Sequence, residues 1–468
     1  MKLEFQPKAE KILEKLHKAG FRAFFVGGAP RDLLLGKTPK DWDIATSAKP
    51  EEIQKLFPKH FYDNRFGTVT VLPSKVEITT FRKESKYTDK RHPDEVIFTD
   101  SLEEDLKRRD FTVNALATDG KEVIGDQEDL KKRLIRAVGE PDKRFQEDAL
   151  RLIRAIRFAV QLDFEIEEKT EKSILKNHKL LELVAKERIR DEFVKIVNSD
   201  SPQKGIEFLR KLKLLQFVAP ELEYGVGVGQ NKHHTFEVFE HCIKALEAAK
   251  DHKFGSSVRL ASLFHDIGKP KTKEGDGENS TFHNHDIVGA KITRKIMERL
   301  RFDRETSKKV VKLVRYHMFL SDPDKVTEAG ARRLIRKVGK ENMKELLELR
   351  IADRIGSGVP KARPWRLRSF EYMLDKVSRD PIDVKMLKID GNEVMRILQM
   401  KPEKRVGLLL RALLNEVIDD PKKNTKKYLK DRVVELNKLD DKTLEANTKE
   451  LDLKSEEKEL LEKRRFGV

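Results

Sequence analysis

FFVGGAPRDLLLGKTPKDWDIAT, residues 24–46, decides the reading of this 468-residue chain. An apolar run enters Gly27-Gly28, Pro30 stands at an expected helix start, and Arg31-Asp32 follow. Two glycines let a backbone approach an anion closely, and free N–H groups at a helix start, with Arg31 beside them, favour a triphosphate. A Gly-Gly turn alone is often only a tight connection. The continuation gives it weight: Asp41 and Asp43 are two apart in a segment that reads as strand, so a period of two aims both carboxylates at one face. Two like charges held together call for a cation. Mg²⁺, a hard ion bound by carboxylates and substrate phosphates, fits, and it would activate a hydroxyl and stabilise a leaving pyrophosphate. Glu77, in VEITTF on a neighbouring strand, is the candidate third carboxylate.

Outward from this stretch, strand-like runs at Ala23–Val26, Thr68–Leu72 and Val76–Thr80 predict a small head of mixed sheet and helices, ending near residue 140. From about 145 the pattern turns helical, in EDALRLIRAIRFAVQL, LLELVAKERIRDEFVKIV and GIEFLRKLKLLQFVAPEL. An α+β chain with a predominantly helical remainder follows. The glycine-rich EYGVGVGQNKHH, residues 223–234, marks a boundary, and a second break is expected near Gly356–Pro364. The expected units are 1–140, 141–225, 226–375 and a helical tail, 376–468. The last fifty residues alternate basic and acidic runs and read as a solvated helix or an RNA-backbone contact.

Lys and Arg number 98 against 81 Asp and Glu, a net charge of +17, which favours a polyanionic partner. Cys242 is the only cysteine, which excludes an intrachain disulfide and a cysteine-based zinc site. The opening MKLEFQPKAEKILEKL alternates charge and lacks an apolar leader core, and no later run approaches spanning length. A cytoplasmic protein with neither a membrane nor a stable protein partner is expected.

Gly27-Gly28-x-x-Arg31-Asp32, Gly36 and Asp41-x-Asp43-Ile-Ala-Thr resemble the signature of the class II tRNA nucleotidyltransferase and bacterial poly(A) polymerase family, within the polymerase-β-like superfamily. RRDFTVNALA, residues 108–117, is similar to the family motif that contacts ribose and phosphates, which implies such roles for Arg108, Arg109, Asp110 and Asn114. EDALR, residues 147–151, is similar to its nucleotide-selecting motif. The logic follows from base edges: Asp148 and Arg151, three apart on an expected helix, share a face. The carboxylate accepts from the amino group of cytosine or adenine while the guanidinium donates to the adjacent ring nitrogen. Uracil and guanine present the reverse pattern there. Arg154 and Arg157 join the nucleotide-binding set, with simple RNA-facing charges as their alternative. ERIRDEFVK, residues 187–195, resembles the family's neck motif, which implies that Glu187, Arg188, Glu192 and Lys195 hold helices together.

The resemblance covers about residues 15–220, and Ala29-Pro30 departs from the residues more common after the glycines. It implies a tRNA 3′ end, CTP and ATP as partners, with Mg²⁺ in the head. The polar segment 81–110 is similar to the flexible loop kept by CCA- and A-adding members, which disfavours CC-only addition. NRFGTVTVL replaces the basic block of bacterial poly(A) polymerases. CCA addition is therefore expected, with A-only or poly(A) addition as the runner-up. From another class, a phosphohydrolase with a nucleotide-binding head is the competing reading.

Beyond the boundary, His241, His265-Asp266 and Asp353 resemble the HD superfamily of metal-dependent phosphohydrolases. Imidazole with carboxylate suits Mn, Fe, Ni, Co or Zn, which would supply hydroxide against a phosphoester. LASLFHDIGKPKT buries a His-Asp pair that would be costly without a ligand or partner. His285 and His317 are further metal candidates, His283 competes with His285, and Asp286 and Lys269 are extra candidates, the lysine for phosphate.

Overall fold

The structure is a computed structural model that describes residues 4–63, 67–85, 95–230, 235–358 and 363–446. Part of the expected flexible loop (86–94), the end of the glycine-rich boundary (231–234), the second break (359–362) and the last stretch of the tail (447–468) lie outside the described residues. The chain divides into two compact units at Pro220/Glu221.

The first unit opens with helix Pro7–Lys18, whose Ile12, Leu13 and Leu16 are buried at helical spacing. Its strands are β1 (Ala23–Val26), β2 (Asp43–Thr46), β3 (His60–Asp63), β4 (Thr68–Val71), β5 (Val76–Thr80), the hairpin β6 (Arg82–Ser85) and β7 (Glu95–Phe98), then β8 (Ala117–Thr118) and β9 (Val123–Ile124). The main sheet runs β3-β4-β5-β2-β1-β8-β9. It is mixed: β2 pairs in parallel with β5 and antiparallel with β1. The strands expected from the sequence form within a residue of their expected ends.

Alternation of side chains sends Phe25, Trp42, Ile44 and Ile78 into a core shared with Leu13, Leu16 and Ile53. The opposite face carries Phe24, Val26, Ala45 and Phe81, covered by Leu102 and Leu106. Burying each large apolar side chain is worth about 1.5–3 kcal/mol, so a one-residue slip of β2 would cost several of these contacts at once. Register therefore fixes which residues of β2 face the site.

The helical remainder of this unit holds helices Arg151–Leu162, Lys186–Val197 and Pro202–Lys211. A Cβ on Gly205 would lie 2.4 Å from Ile196 Cγ2, so the last two of these pack through a position only glycine fills. The second unit is helical throughout its described residues apart from an isolated bridge, Glu274 to Thr281. In the expected helical tail, helices Gly391–Leu398, Lys404–Asp419 and Lys426–Leu436 bury a core of Leu409, Leu413, Val417, Leu429 and Val433; of these helices only the last falls within the final fifty residues, where a solvated helix or RNA contact is expected. Helix Lys426–Leu436 is thus packed on its apolar face rather than solvated all round, because Leu429, Val433 and Leu436 recur every three to four residues.

Candidate functional sites

In the head, β2 begins at Asp43, and Asp41 stands two residues ahead of it, outside the strand. Trp42 between them is buried, its ring 5.0 Å from Phe25 and 6.0 Å from Phe5. That anchor turns the aspartates to the other face of the sheet. The parallel register sets Asp43 directly beside Glu77. Burial first, then the Glu77 charge, push the Asp43 carboxyl up to about 6; Arg109 opposes the shift and Asp41 adds to it. A carboxylate group that resists its own charge in this way fits a divalent cation, and Asp41, Asp43 and Glu77 are the residues to hold one.

Gly27 has φ 74°, and a Cβ there would lie 3.1 Å from Arg109 Nη1 and 3.9 Å from Asp43 Oδ2. The turn therefore admits a guanidinium and the acidic strand side by side, which only glycine permits. The helix that follows runs Gly28–Leu34, so Pro30 is in its first turn though not at its first position. Arg31 donates to Asp32 at 2.8 and 2.7 Å and to Asn114 Oδ1 at 2.6 Å. Asn114 donates to Asp110 at 3.1 Å, and Asp110 also accepts from Arg154 at 2.9 and 2.6 Å. Burial works against the Asp110 charge, yet Arg154 and Asn114 hold the carboxyl well below its usual range. Of the expected set, Arg31, Asn114, Asp110 and Arg154 thus form one chain of bonds, while Arg108 and Arg109 form a second group. The residue that gathers the second group, Asp105, is absent from the residues singled out by sequence: wholly buried, it accepts from Arg108 at 2.7 Å and Arg109 at 3.2 Å. The signal for it is the i,i+3 and i,i+4 spacing to the two arginines.

The expected helical pair needs correction. Asp148 caps helix Pro141–Glu147 with extended backbone, φ −136° and ψ 105°, and Arg151 begins the next helix, so they do not share a helix face. The Asp148 carboxylate accepts from the Leu150 N–H at 3.1 Å, the local bond by which aspartate favours a turn over a helix interior. It also accepts from Arg188 at 3.3 and 3.0 Å. Arg151 donates to Glu147 at 2.8 Å and to the carbonyls of Arg144 and Arg108, each at 3.1 Å. Asp148 and Arg151 thus take separate partners.

Arg157 departs from the RNA-facing alternative. It is buried, with Nε 2.6 Å from Glu192 Oε2 and the guanidinium 3.8 Å over the Phe158 ring. Burial first, then Arg154, draw it down to about 10. Arg154 spans Asp110 and, at 3.9 Å, Glu192. The neck residues Arg188, Glu192 and Lys195 thus hold the motif residues in place.

In the second unit, His241 lies on helix Val238–Asp251, His265-Asp266 follow helix Ser256–Phe264, His285 starts helix His285–Arg299, His317 ends helix Arg304–Tyr316, and Asp353 lies on Met343–Gly356. All six are buried. His265, His285 and His317 each donate Nδ1–H to a carbonyl three residues back, at 2.8, 2.7 and 2.7 Å. A carbonyl can only accept, so each ring presents the Nε2 lone pair to the interior. There His241 Nε2 and His265 Nε2 are 2.9 Å apart, and His285 Nε2 and His317 Nε2 are 3.3 Å apart. Acceptors converging like this need cations between them. Asp266 serves both sets: Oδ2 lies 3.1 Å from His241 and 3.3 Å from His265, Oδ1 3.3 Å from His285 and 3.5 Å from His317. Without a metal, burial opposes a charge on His265 but Asp266 and Asp353 outweigh it and hold the ring up to about 10, so Nε2 then carries a proton that a bound cation would displace to free the lone pair. Two three-donor groups result, His241/His265/Asp353 and Asp266/His285/His317, each fitting a divalent transition metal.

The structure chooses His285 over His283, which is only half-buried. Asp286 pairs with Arg315 at 2.7 Å instead of joining the donors. Lys269 is buried and donates to Asp266 Oδ2 and Gln230 Oε1, both at 2.6 Å, rather than standing free for phosphate. Gly268 makes the arrangement possible, since a Cβ there would lie 2.2 Å from the His285 carbonyl oxygen.

A sheet that carries paired carboxylates beside a glycine turn, joined to a helical neck, is the arrangement expected of a nucleotidyltransferase head, and the two donor groups are those expected of an HD-type metal centre. Residues 23–136 match the family described as the Poly A polymerase head domain, 163–225 the probable RNA and SrmB-binding site of polymerase A, and 232–357 the HD domain. In this order along the chain, three segments are thus similar to a poly(A) polymerase head, its RNA-binding segment and an HD domain. It is similar to the CCA-adding enzyme of Lactobacillus helveticus, 57% identical over 237 residues, covering 46% of this chain and 59% of that one. To the CCA-adding enzyme of Enterococcus faecalis it is 48% identical over 228 residues, 47% of this chain and 56% of that one. The chain thus spans between half and three fifths of the length of these relatives. The crystal structure of the Bacillus stearothermophilus CCA-adding enzyme in complex with CTP resembles it with a TM-score of 0.70 at 26% identity, covering 93% of this chain and 98% of that one. No described helix is long and apolar enough to cross a membrane.

Proposed function

We propose that the head adds the 3′-terminal CCA to tRNA from CTP and ATP without a nucleic-acid template, in the cytoplasm where those substrates are held, and that the second unit is a phosphohydrolase. The observation that carries the first part is the register of Asp43 on Glu77, with the Asp41 charge acting on Asp43 and the Gly27 turn beside it. The names of the relatives support CCA addition over the A-only alternative. Bound divalent ions supply positive charge to phosphate and attacking oxygen, Mg²⁺ at Asp41, Asp43 and Glu77 and a metal such as Mn, Fe, Ni, Co or Zn at the HD donors. Arg109, against Asp43 and the turn, offers a cation to the triphosphate; Arg31, Asn114 and Asp110 position the ribose side; Asp148 and Arg151 read the base edge.

The test uses tRNA lacking its 3′ terminus, given CTP alone, ATP alone or both, with the ends sequenced. CCA with both nucleotides is expected. Extension by A alone, unaffected by CTP, would move the assignment to the runner-up, and no extension would remove it. For the HD unit, the donor groups sharing Asp266 support a two-metal site that hydrolyses a phosphoester such as a 2′,3′-cyclic nucleotide. Wild-type protein that binds no transition metal and hydrolyses none under any divalent ion would leave that unit a structural body.

A further inference from the structure

Asp353 has two faces. Its Oδ1 lies inside the cluster, 3.3 Å from His241 Nε2 and 3.5 Å from His265 Nε2, while its Oδ2 accepts from Arg350 Nη1 at 3.2 Å. Exposure rises the same way: the side chains of His241 and His265 are 0% exposed, that of Asp353 12% and that of Arg350 18%. The cluster therefore meets solvent on the side of the arginine. Arg350 is held there, with Nη1 3.7 Å from Met318 Sδ and its guanidinium 5.6 Å from the Phe319 ring centre.

Four residues beyond Arg350, Arg354 lies on the same face of helix Met343–Gly356. Its Nε is buried without a hydrogen-bond partner among the described residues, although guanidinium groups in protein interiors are as a rule fully bonded. Of two guanidinium groups one turn apart, Arg350 thus bonds a carboxylate that also lies against two imidazoles, and Arg354 has no carboxylate bonded to it among the described residues. The local charge balance lacks an anion.

We propose that Arg350 and Arg354 form a seat for a phosphate group at the mouth of the HD centre, where they bind the non-bridging oxygens of a phosphoester substrate. A tetrahedral phosphate suits this place because it offers oxygens to two guanidinium forks and still turns one toward the metal donors. Lys269 does not fill the role, since its ammonium is buried against Asp266 and Gln230. The inference rests on the HD centre being a phosphoester-hydrolysing site, and the experiment separates the two.

Full-length protein loaded with Mn²⁺ is titrated with inorganic phosphate by calorimetry and assayed on a 2′,3′-cyclic nucleotide, as wild type, Arg354→Gln, Arg354→Lys and Arg350→Gln. Loss of a charge-assisted contact predicts about tenfold weaker phosphate binding and about a tenfold higher KM in Arg354→Gln, with kcat changing less. Arg354→Lys should recover part of the loss, and bound metal per chain should stay at the wild-type level in both. If Arg354→Gln does not fold, as judged by its melting curve, Arg350→Gln and Arg354→Lys carry the comparison. Phosphate affinity and KM within about twofold of wild type in the folded variants would overturn the seat, as would wild-type protein that binds no phosphate. Wild-type protein that hydrolyses nothing, yet binds phosphate through Arg354, would overturn only the hydrolase reading.

Discussion

Replacing Gly268 with alanine should damage the HD centre without touching the head. The φ of Gly268 is −81°, which any residue tolerates, so the effect is one of space alone. The new Cβ would lie 2.2 Å from the His285 carbonyl oxygen and 2.6 Å from the Gly289 N–H nitrogen, both backbone atoms of helix His285–Arg299. Ordinary contact begins roughly 1 Å farther out, so the helix must retreat by about that much. His285 is its first residue, and metal–ligand distances tolerate only about 0.2 Å, so His285 Nε2 leaves its place opposite His317 and Asp266. Overpacking of this kind costs about 1–3 kcal/mol, and misplacing one ligand weakens metal binding by about 10–100-fold. Elemental analysis of protein equilibrated with limiting Mn²⁺, with melting curves taken alongside, should show less metal per chain and a lower Tm, while tRNA extension continues. Wild-type metal content at limiting Mn²⁺ with an unchanged Tm would refute the packing argument, because the clash leaves the backbone no room to relax in place.

Three further outcomes are expected. Asp41→Ala or Asp43→Ala should abolish nucleotide addition while tRNA affinity, measured by filter binding, falls little, since the basic surface holds RNA; near-normal incorporation would sink the head assignment. Asp148→Ala and Arg151→Ala should let UTP and GTP compete in single-turnover incorporation, and Arg188→Ala should share the Asp148 phenotype because Arg188 holds that carboxylate at 3.0 Å. The Asp43 carboxyl titrates near 6 in the fold and near 3.8 in the unfolded chain, so its ionisation destabilises the metal-free protein as pH rises from about 4 through 6. Asp43→Asn should therefore melt higher than wild type in EDTA at pH 8, by up to about 3 kcal/mol, with the gap closing toward pH 4; an equal gap at both pH values would contradict the coupling.

Elements whose cues are local are legible in the sequence. The strands of the head follow from runs such as Ala23–Val26 with turn residues at their ends, and the helices of the HD unit from apolar residues three or four apart. Asp43 is readable because period two is a property of the strand itself, although the strand begins only there and leaves Asp41 just outside it. The pair Asp148 and Arg151 is not, because the helical spacing of EDALRLIRAI runs straight through a turn. The Asp148 side chain bonds the Leu150 N–H instead of letting the helix continue, and Arg188, from a distant helix, stabilises that choice. Arg157 escapes a local reading for the same reason: only packing against Glu192 and Phe158 shows that this cation faces inward.

By itself the sequence determined which chemistry is present: two acidic residues at strand spacing after a glycine turn, four motifs in family order, and histidines and aspartates on apolar helices. Residue type and short-range spacing carry that information. Tertiary structure alone decided the partners: that Glu77 lies beside Asp43, that Asp105 gathers Arg108 and Arg109, that His285 and not His283 joins the donors, and that Asp266 faces two sets of imidazoles. Each of these choices depends on strand register or on how helices far apart in the chain meet. Those are set by the burial of side chains such as Trp42 and by the absence of a Cβ at Gly268, neither of which acts through local spacing.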